Sequence, residues 1–154
     1  MTTAVAVAQA SEIVVVALLV GFMAVVEWSL VPAQNRLDGR AYAVLDQGMN
    51  RVLTRLTPAL MIAALLATGA SAGLAFAARE GTAWWHLIAT IGIAAMVVST
   101  LIINAPVNAE IDAWDPENLP PTWRSSRDRW ESGHRLRSYV GLTVLISVAV
   151  AAVL

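Results

Sequence analysis

Residues 13–33 read IVVVALLVGFMAVVEWSLVPA, a run of apolar and small residues that contains one carboxylate, Glu27. An α-helix needs about 20 mainly apolar residues to cross a hydrocarbon core of about 30 Å. This run meets that length. Because backbone N–H and C=O groups in lipid must form their hydrogen bonds within their own segment, we expect a helix. Three further runs meet or approach that length: residues 56–78, 84–103 and 134–154. The sequence thus predicts an all-α fold, a polytopic membrane protein whose four-transmembrane-helix bundle forms a single domain over residues 1–154.

The composition supports a membrane protein and excludes several kinds of chemistry. Of the 154 residues, 58% are hydrophobic, whereas soluble domains have roughly 45–50% apolar residues. The chain has no cysteine and no lysine, which excludes disulfides, thiolate chemistry and Schiff bases. The net charge of −1 gives no sign of a nucleic-acid partner. Because no positively charged segment precedes the first apolar run, we expect that run to stay in the mature protein and not to act as a signal peptide.

The arginines predict the orientation in the membrane. Nine of the ten lie in the first and third loops, and only Arg79 lies in the second. The positive-inside rule makes loops one and three cytoplasmic, so both termini are expected on the extracytoplasmic side of the cell (plasma) membrane. Trp84 and Trp85 then begin the third span at the outer interface, where tryptophans collect. We expect His86, beside them, to be an interfacial residue too.

Glu27 predicts a polar site inside the bundle. A carboxylate at membrane depth is costly, so it normally faces a partner or a water-filled cavity. The residues expected to reach the same inner side of the membrane are His134, Asn104, Asn108 and Arg137. Asn104 and Asn108 are four apart and share a helix face, while Pro106 between them is expected to break or kink that helix. Alternatively, the two asparagines only cap the helix end.

The third loop, residues 104–137, is predicted to be partly helical. The dipeptides Asp115–Pro116 and Pro120–Pro121 mark turns in it. Trp130, His134 and Arg137 follow at spacings of four and three, so they line one face that leads into the fourth span. An amphipathic interfacial segment would explain the tryptophans and arginines as well, but it accounts less well for the histidine.

The first loop carries a weaker polar pattern. Tyr42, Asp46 and Asn50 are four residues apart and fall on one helix face. These side chains could join the same polar mouth, but a solvated extension of the second helix is the simpler interpretation.

Two kinds of chemistry fit the predicted site. Glu27, His134 and amide oxygens could bind a divalent metal with open positions, iron or copper, with His134 and Glu27 as the ionisable ligands. The same groups could instead bind a substrate hydroxyl and move a proton, for which a histidine and a buried carboxylate are suited. A structural ion pair between Glu27 and an arginine is the competing explanation.

The pattern Asn104-x-Pro106-x-Asn108, a polar loop and then Trp130-x-x-x-His134-x-x-Arg137 resembles the anthrone-oxygenase-like family of small four-helix integral membrane proteins. The resemblance covers the whole bundle in length and number of spans. It implies a membrane oxygenase, a monooxygenase that uses O₂ to oxidise an activated aromatic CH₂ group of a hydrophobic polyketide-type substrate to a quinone.

The resemblance also implies roles for individual residues. His134 would be the base or a ligand, and Arg137 would stabilise developing negative charge. Asn104 and Asn108 would orient the substrate enolate or a ligand. Glu27 matches no position of the family, so its place in the site rests on membrane physics alone. The reaction would need either a base and a dry pocket alone, without a cofactor, or a metal that binds O₂.

Two other classes of function are compatible with the sequence. One is a non-catalytic interaction or assembly subunit of a membrane complex. Gly69 and Gly73 form a small-xxx-small face, which lets helices approach closely and also suits a homo-oligomer in the lipid bilayer. The other is a small proton-coupled transporter that uses Glu27, although the third loop is long for such a protein.

Overall fold

The computed structural model of the protein describes residues 3–154. Met1 and Thr2, which belong to the predicted single domain, lie outside the described residues. The helices are α1 (Thr3–Val25), α2 (Val31–Gln34), α3 (Gly39–Ala77), α4 (Ala83–Ser99), α5 (Ala105–Asp112) and α6 (Trp123–Val153). Two π-helical turns join helices without a break: the first, Val26–Leu30, connects α1 to α2, and the second, Thr100–Asn104, connects α4 to α5.

Four continuous helical stretches are long and apolar enough to cross a membrane: Val5–Gln34, Gly39–Ala77, Ala83–Asp112 and Trp123–Val153. The predicted all-α, four-span architecture of a multi-pass membrane protein is therefore confirmed. Each stretch is longer than the span predicted from hydropathy. At about 1.5 Å per residue, α3 alone is about 58 Å long, whereas a hydrocarbon core measures about 30 Å. The helices therefore continue well beyond the apolar layer.

Two hydrophobic cores hold the bundle together. The larger one joins all four spans and includes Leu19, Met61, Ile93, Met96 and Val144. The smaller one lies at the arginine-rich end, by which we mean the end that carries the first and third loops and with them nine of the ten arginines. Its buried residues come from α3, α5 and the segment after α5, and they are Tyr42, Ala43, Val107, Ile111 and Trp114. The third loop is thus a folded part of the molecule.

Polar contacts fix the third loop against α3. Gln47 Nε2 donates to the carbonyl oxygens of Ile111 (2.9 Å) and Trp114 (3.0 Å). Farther out, Arg40 Nε lies 2.6 Å from Glu117 Oε1. These contacts join elements that are distant in sequence. The prediction that the loop is partly helical is confirmed by α5 and by the start of α6.

The interpretation of the first loop as a solvated helix extension is wrong. Tyr42, Asp46 and Asn50 lie on one face of α3, as their spacing predicts, but that face is buried. Asn50 Nδ2 donates to Asp112 Oδ1 at 3.1 Å, while Tyr42 packs on Trp123 with ring centroids 5.9 Å apart. The reason is that α5 and the loop after it fold back onto α3, which no local pattern in the first loop indicates.

The prediction that His86 is an interfacial residue is also wrong. The side chain is 1% exposed, and its Nδ1 lies 2.8 Å from Oε2 of Glu12, which is fully buried. The pair lies near the end of the bundle opposite the arginine-rich end. Trp84, by contrast, remains 64% exposed. Ala83 and His86 are three apart and face inward together, because helical spacing turns the two residues between them away from the core.

Candidate functional site

A cavity of about 230 Å³ lies inside the arginine-rich half of the bundle. One wall comes from the second π-helical turn, α5 and α6, and its polar residues are Thr100, Asn104, Asn108, Trp130, His134 and Arg137. A second wall comes from α3 and carries Asp46, Asn50, Thr54 and Thr57. Four of the five predicted site residues thus line one cavity, and Glu27 is the exception.

The two π-helical turns shape this cavity. Each turn begins six residues before a proline, Pro32 in the first case and Pro106 in the second. A proline has no amide hydrogen, and its ring excludes the carbonyl four residues earlier. The wider winding avoids a break, because the amide of Ala105 donates to the carbonyl of Thr100, five residues earlier. Of the two effects expected from Pro106, the break does not occur, and Thr100 and Asn104 of the π-helical turn line the cavity.

The two asparagines and Trp130 form one hydrogen-bond network. Asn104 Nδ2 donates to the carbonyl oxygen of Trp130 (3.0 Å), and Trp130 Nε1 donates to Asn108 Oδ1 (2.7 Å). The indole ring then stacks on His134, with centroids 5.1 Å apart and planes at 4°. The asparagines therefore hold the tryptophan that positions the imidazole. Asn104 Oδ1 is buried and has no hydrogen-bond partner in the described chain.

Both ring nitrogens of His134 have polar neighbours. Nε2 lies 3.2 Å from the carbonyl oxygen of Met23, and Nδ1 lies 3.4 Å from Arg137 Nη2. A carbonyl oxygen can only accept, and a guanidinium can only donate. The tautomer with its hydrogen on Nε2 satisfies both contacts, because it leaves the lone pair of Nδ1 for Arg137.

Arg137 is a buried cation at the cavity that meets no carboxylate among the described residues. The residue is 4% exposed, yet among the described residues its guanidinium meets only neutral partners. Nη1 donates to Thr100 Oγ1 at 2.7 Å, and Nε has no partner in residues 3–154. An isolated buried charge is strongly unfavourable unless it is paired. A cation of this kind beside a cavity therefore favours a ligand that carries or develops negative charge.

Asp46 is a cavity residue that the sequence analysis left outside its predicted site. The carboxylate is 2% exposed. Oδ1 accepts from Gln34 Nε2 at 3.4 Å, while Oδ2 is buried and has no partner in the described chain. The available signal was the four-residue spacing of Tyr42, Asp46 and Asn50, but that spacing does not say which element covers the face.

Glu27 approaches the site from outside the cavity. Its side chain is 9% exposed and belongs to the first π-helical turn. Oε1 accepts from Arg135 Nε at 3.2 Å, and Oε2 lies 4.0 Å from His134 Nε2. The carboxylate therefore contacts side chains of α6, as expected because a carboxylate at membrane depth normally faces a partner. It forms the ion pair with an arginine that was the competing explanation and also lies near the imidazole.

The residues as arranged do not form the ligand set suggested for a metal. Within residues 3–154, no group of three or more His, Asp or Glu side chains could hold a metal ion. His134 turns Nε2 to a backbone carbonyl and Nδ1 to the cation of Arg137. The guanidinium beside Nδ1 repels a metal cation.

Comparison with known protein families gives one match. Residues 47–147, which are 101 of the 154 residues, match the family model described as anthrone oxygenase. The matched segment includes the second π-helical turn, Trp130, His134 and Arg137, whereas Glu27 and Asp46 precede it. No curated protein and no solved structure matches the chain.

Proposed function

The chain belongs to the anthrone oxygenase family, and from that premise we propose that it is a membrane oxygenase acting on a hydrophobic aromatic substrate with O₂. The substrate class is an anthrone, a tricyclic ketone whose CH₂ group is activated by the rings and the carbonyl. The observation that carries the proposal is the guanidinium of Arg137, buried at the cavity without a carboxylate partner among the described residues.

Removal of a proton from such a CH₂ group creates an electron-rich carbanion whose charge is shared with the carbonyl oxygen. A cation placed at that oxygen stabilises the charge as it develops, and electrostatic stabilisation of this kind often contributes more to catalysis than any other effect. The Nε of Arg137 has no hydrogen-bond partner within residues 3–154, and Nη2 makes only a weak 3.4 Å contact to His134. These groups are therefore available to a substrate oxyanion.

His134 is our candidate for the base. When Arg137 turns from Nδ1 to the substrate oxygen, the lone pair of Nδ1 is released to accept the proton, while Nε2 stays bonded to Met23. Asp46, with its free Oδ2 at the same cavity, is the alternative proton acceptor. In either case the base needs to lie within hydrogen-bond reach of the CH₂ group.

The overall reaction balances with O₂ as the only oxidant. Two hydrogens leave the CH₂ group, one oxygen atom becomes the new carbonyl, and the other leaves as water with those hydrogens. The carbon loses four electrons, which is the number that reduces one O₂ molecule completely. No external reductant is therefore required.

The test measures the rate of quinone formation by the protein in lipid nanodiscs, to which anthrone and ¹⁸O₂ are added. We expect one labelled oxygen in the quinone. Arg137→Gln should lower the rate about a hundredfold, as the loss of an oxyanion donor does, whereas Arg36→Gln, at an exposed arginine of the same end, should not. A wild-type rate equal to that of empty nanodiscs would refute the proposed activity. His134→Gln and Asp46→Asn identify the base, because only loss of the true base removes the rate-limiting proton transfer.

A further inference from the structure

A second, apolar recess lies next to the site, on the surface of the bundle. It measures about 750 Å³ and runs between the end of the first span and the first half of α3. Its lining includes Val25, Leu30, Val44, Gly48 and Val52, and no charged side chain contributes to it. Val25 and Val52 are 64% and 63% exposed. Exposed apolar side chains in a continuous patch indicate contact with lipid or an apolar ligand. We call this recess the lateral groove.

The lateral groove and the cavity share four lining side chains, which we call the partition. Phe22, Val26, Met49 and Leu53 line both. Three of these side chains are unbranched at Cβ and can change rotamer, and methionine is especially adaptable. Val26 begins the first π-helical turn, so this turn also forms part of the partition. A modest movement of these side chains would join the two spaces.

The opposite access to the cavity is polar. A recess of about 280 Å³ is lined by Gln47, Asn50, Arg51, Thr54 and Asp112, and it shares Asn50 and Thr54 with the cavity. The cavity therefore lies between an apolar route and a polar one. An apolar tricyclic molecule partitions into lipid because burial of its surface is favourable by about 25 cal/mol per Å². The polar recess suits water and protons instead.

We propose that the substrate reaches the site from the boundary of the bilayer at the arginine-rich end, through the lateral groove. Its apolar rings pass the Phe22, Val26, Met49 and Leu53 partition while its ketone oxygen moves toward Arg137. The inference rests on the proposed function and adds the route and the physical class of the ligand, a membrane-dissolved amphiphile. The groove then determines which molecules are presented to the cavity, because a water-soluble competitor is excluded by its apolar lining.

Gly48 is a position at which a side chain can be added to block the groove. A Cβ atom built there meets nothing within 4 Å, and the residue lines the groove. The Cβ of Gly48→Phe therefore has room, and we expect its ring to fill the groove. Gly73 lies on the same helix, is exposed and is equally free of neighbours, but it lies far from the groove. Gly73→Phe is thus a matched control, and Val52→Phe is a second plug in case Gly48→Phe does not fold.

The experiment measures the association of anthrone with protein in nanodiscs under anaerobic stopped flow, followed by tryptophan quenching. We expect either plug to slow association about tenfold or more, within the range over which binding rates vary in one system, with Gly73→Phe at the wild-type rate.

Plugs as fast as wild type would overturn the lateral route while the proposed function stood. Slowing by Arg51→Phe alone would place access at the polar recess and likewise overturn it. No binding to wild type, or undiminished binding to Arg137→Gln, would instead defeat the proposed function.

Discussion

At the level of single residues, Arg137 and the Glu12–His86 pair are buried ionisable groups with different surroundings. Arg137 meets Thr100 and His134 but no carboxylate in the described chain. Glu12 and His86 instead meet each other, with Oε2 and Nδ1 2.8 Å apart. The first arrangement leaves a cation without a carboxylate partner among the described residues, whereas the second places an acid beside a basic side chain within the protein. We therefore assign function to Arg137 and stability to the Glu12–His86 pair.

Glu12→Leu tests the second assignment. Removal of one partner leaves a buried polar group uncompensated, which typically costs about 3–5 kcal/mol. We expect a clearly lower thermal unfolding midpoint in detergent for the single variant. The double variant Glu12→Leu/His86→Leu should recover most of the loss, because apolar replacements of a whole buried pair are often neutral. A single variant as stable as wild type would show that the pair contributes nothing.

At the level of elements, the site depends on how closely α6 approaches the second π-helical turn. Gly133 makes that approach feasible. A Cβ atom added there would lie 2.6 Å from Asn104 Oδ1 and 2.7 Å from Ile103 Cγ2. The same asparagine donates to Trp130, which stacks on His134. The lack of a side chain at one position thus determines the geometry of the polar wall.

Gly133→Ala should therefore both destabilise the protein and disturb the site. Overpacking of this kind typically costs about 1–3 kcal/mol, and displacement of Asn104 should loosen the Trp130–His134 stack. Thermal unfolding and the tryptophan emission spectrum measure the two effects. Gly21→Ala is the control, because a Cβ atom there meets nothing within 4 Å, and a helical alanine is favoured over glycine by about 0.5–1 kcal/mol. Equal stability of the two variants would contradict the close approach.

At the level of the whole molecule, the two buried polar sites lie at opposite ends of an apolar layer. Glu12 and Met23, whose carbonyl meets His134, are eleven residues apart on α1, or about 16 Å. Leu19, Ile93 and Met96 fill the core between them. A transporter that carried protons through the bundle would have to hydrate this layer. An oxygenase needs only the cavity at the arginine-rich end.

The orientation of the whole molecule can be tested with single cysteines, because the chain has none of its own. Asn118→Cys lies on the exposed third loop, and Gly81→Cys lies on the exposed connection between α3 and α4. The positive-inside rule predicts that a membrane-impermeant maleimide applied to intact cells labels only Gly81→Cys. Both variants should react after the membrane is permeabilised. The reverse pattern in intact cells would invert the proposed orientation.

The sequence by itself determined the number of spans, because a hydrocarbon layer requires long apolar runs and allows only helices from them. The spacing of Asn104, Asn108, Trp130 and His134 likewise predicted a shared polar wall, since helical periodicity decides which side chains share a face. Even the two π-helical turns have a local cause in Pro32 and Pro106.

Only the tertiary structure decided what each of those faces meets. The burial of Asp46 depends on α5 and the segment after it, which fold back from more than sixty residues away in sequence, as the Gln47–Ile111 contact shows. The pairing of Glu12 with His86 depends on the approach of two spans. The charge of Arg137 is uncompensated because, among the described residues, helix packing brings no carboxylate to its guanidinium. Periodicity fixes the direction of a side chain relative to its own helix axis, whereas a partner is chosen by the packing of several helices at once.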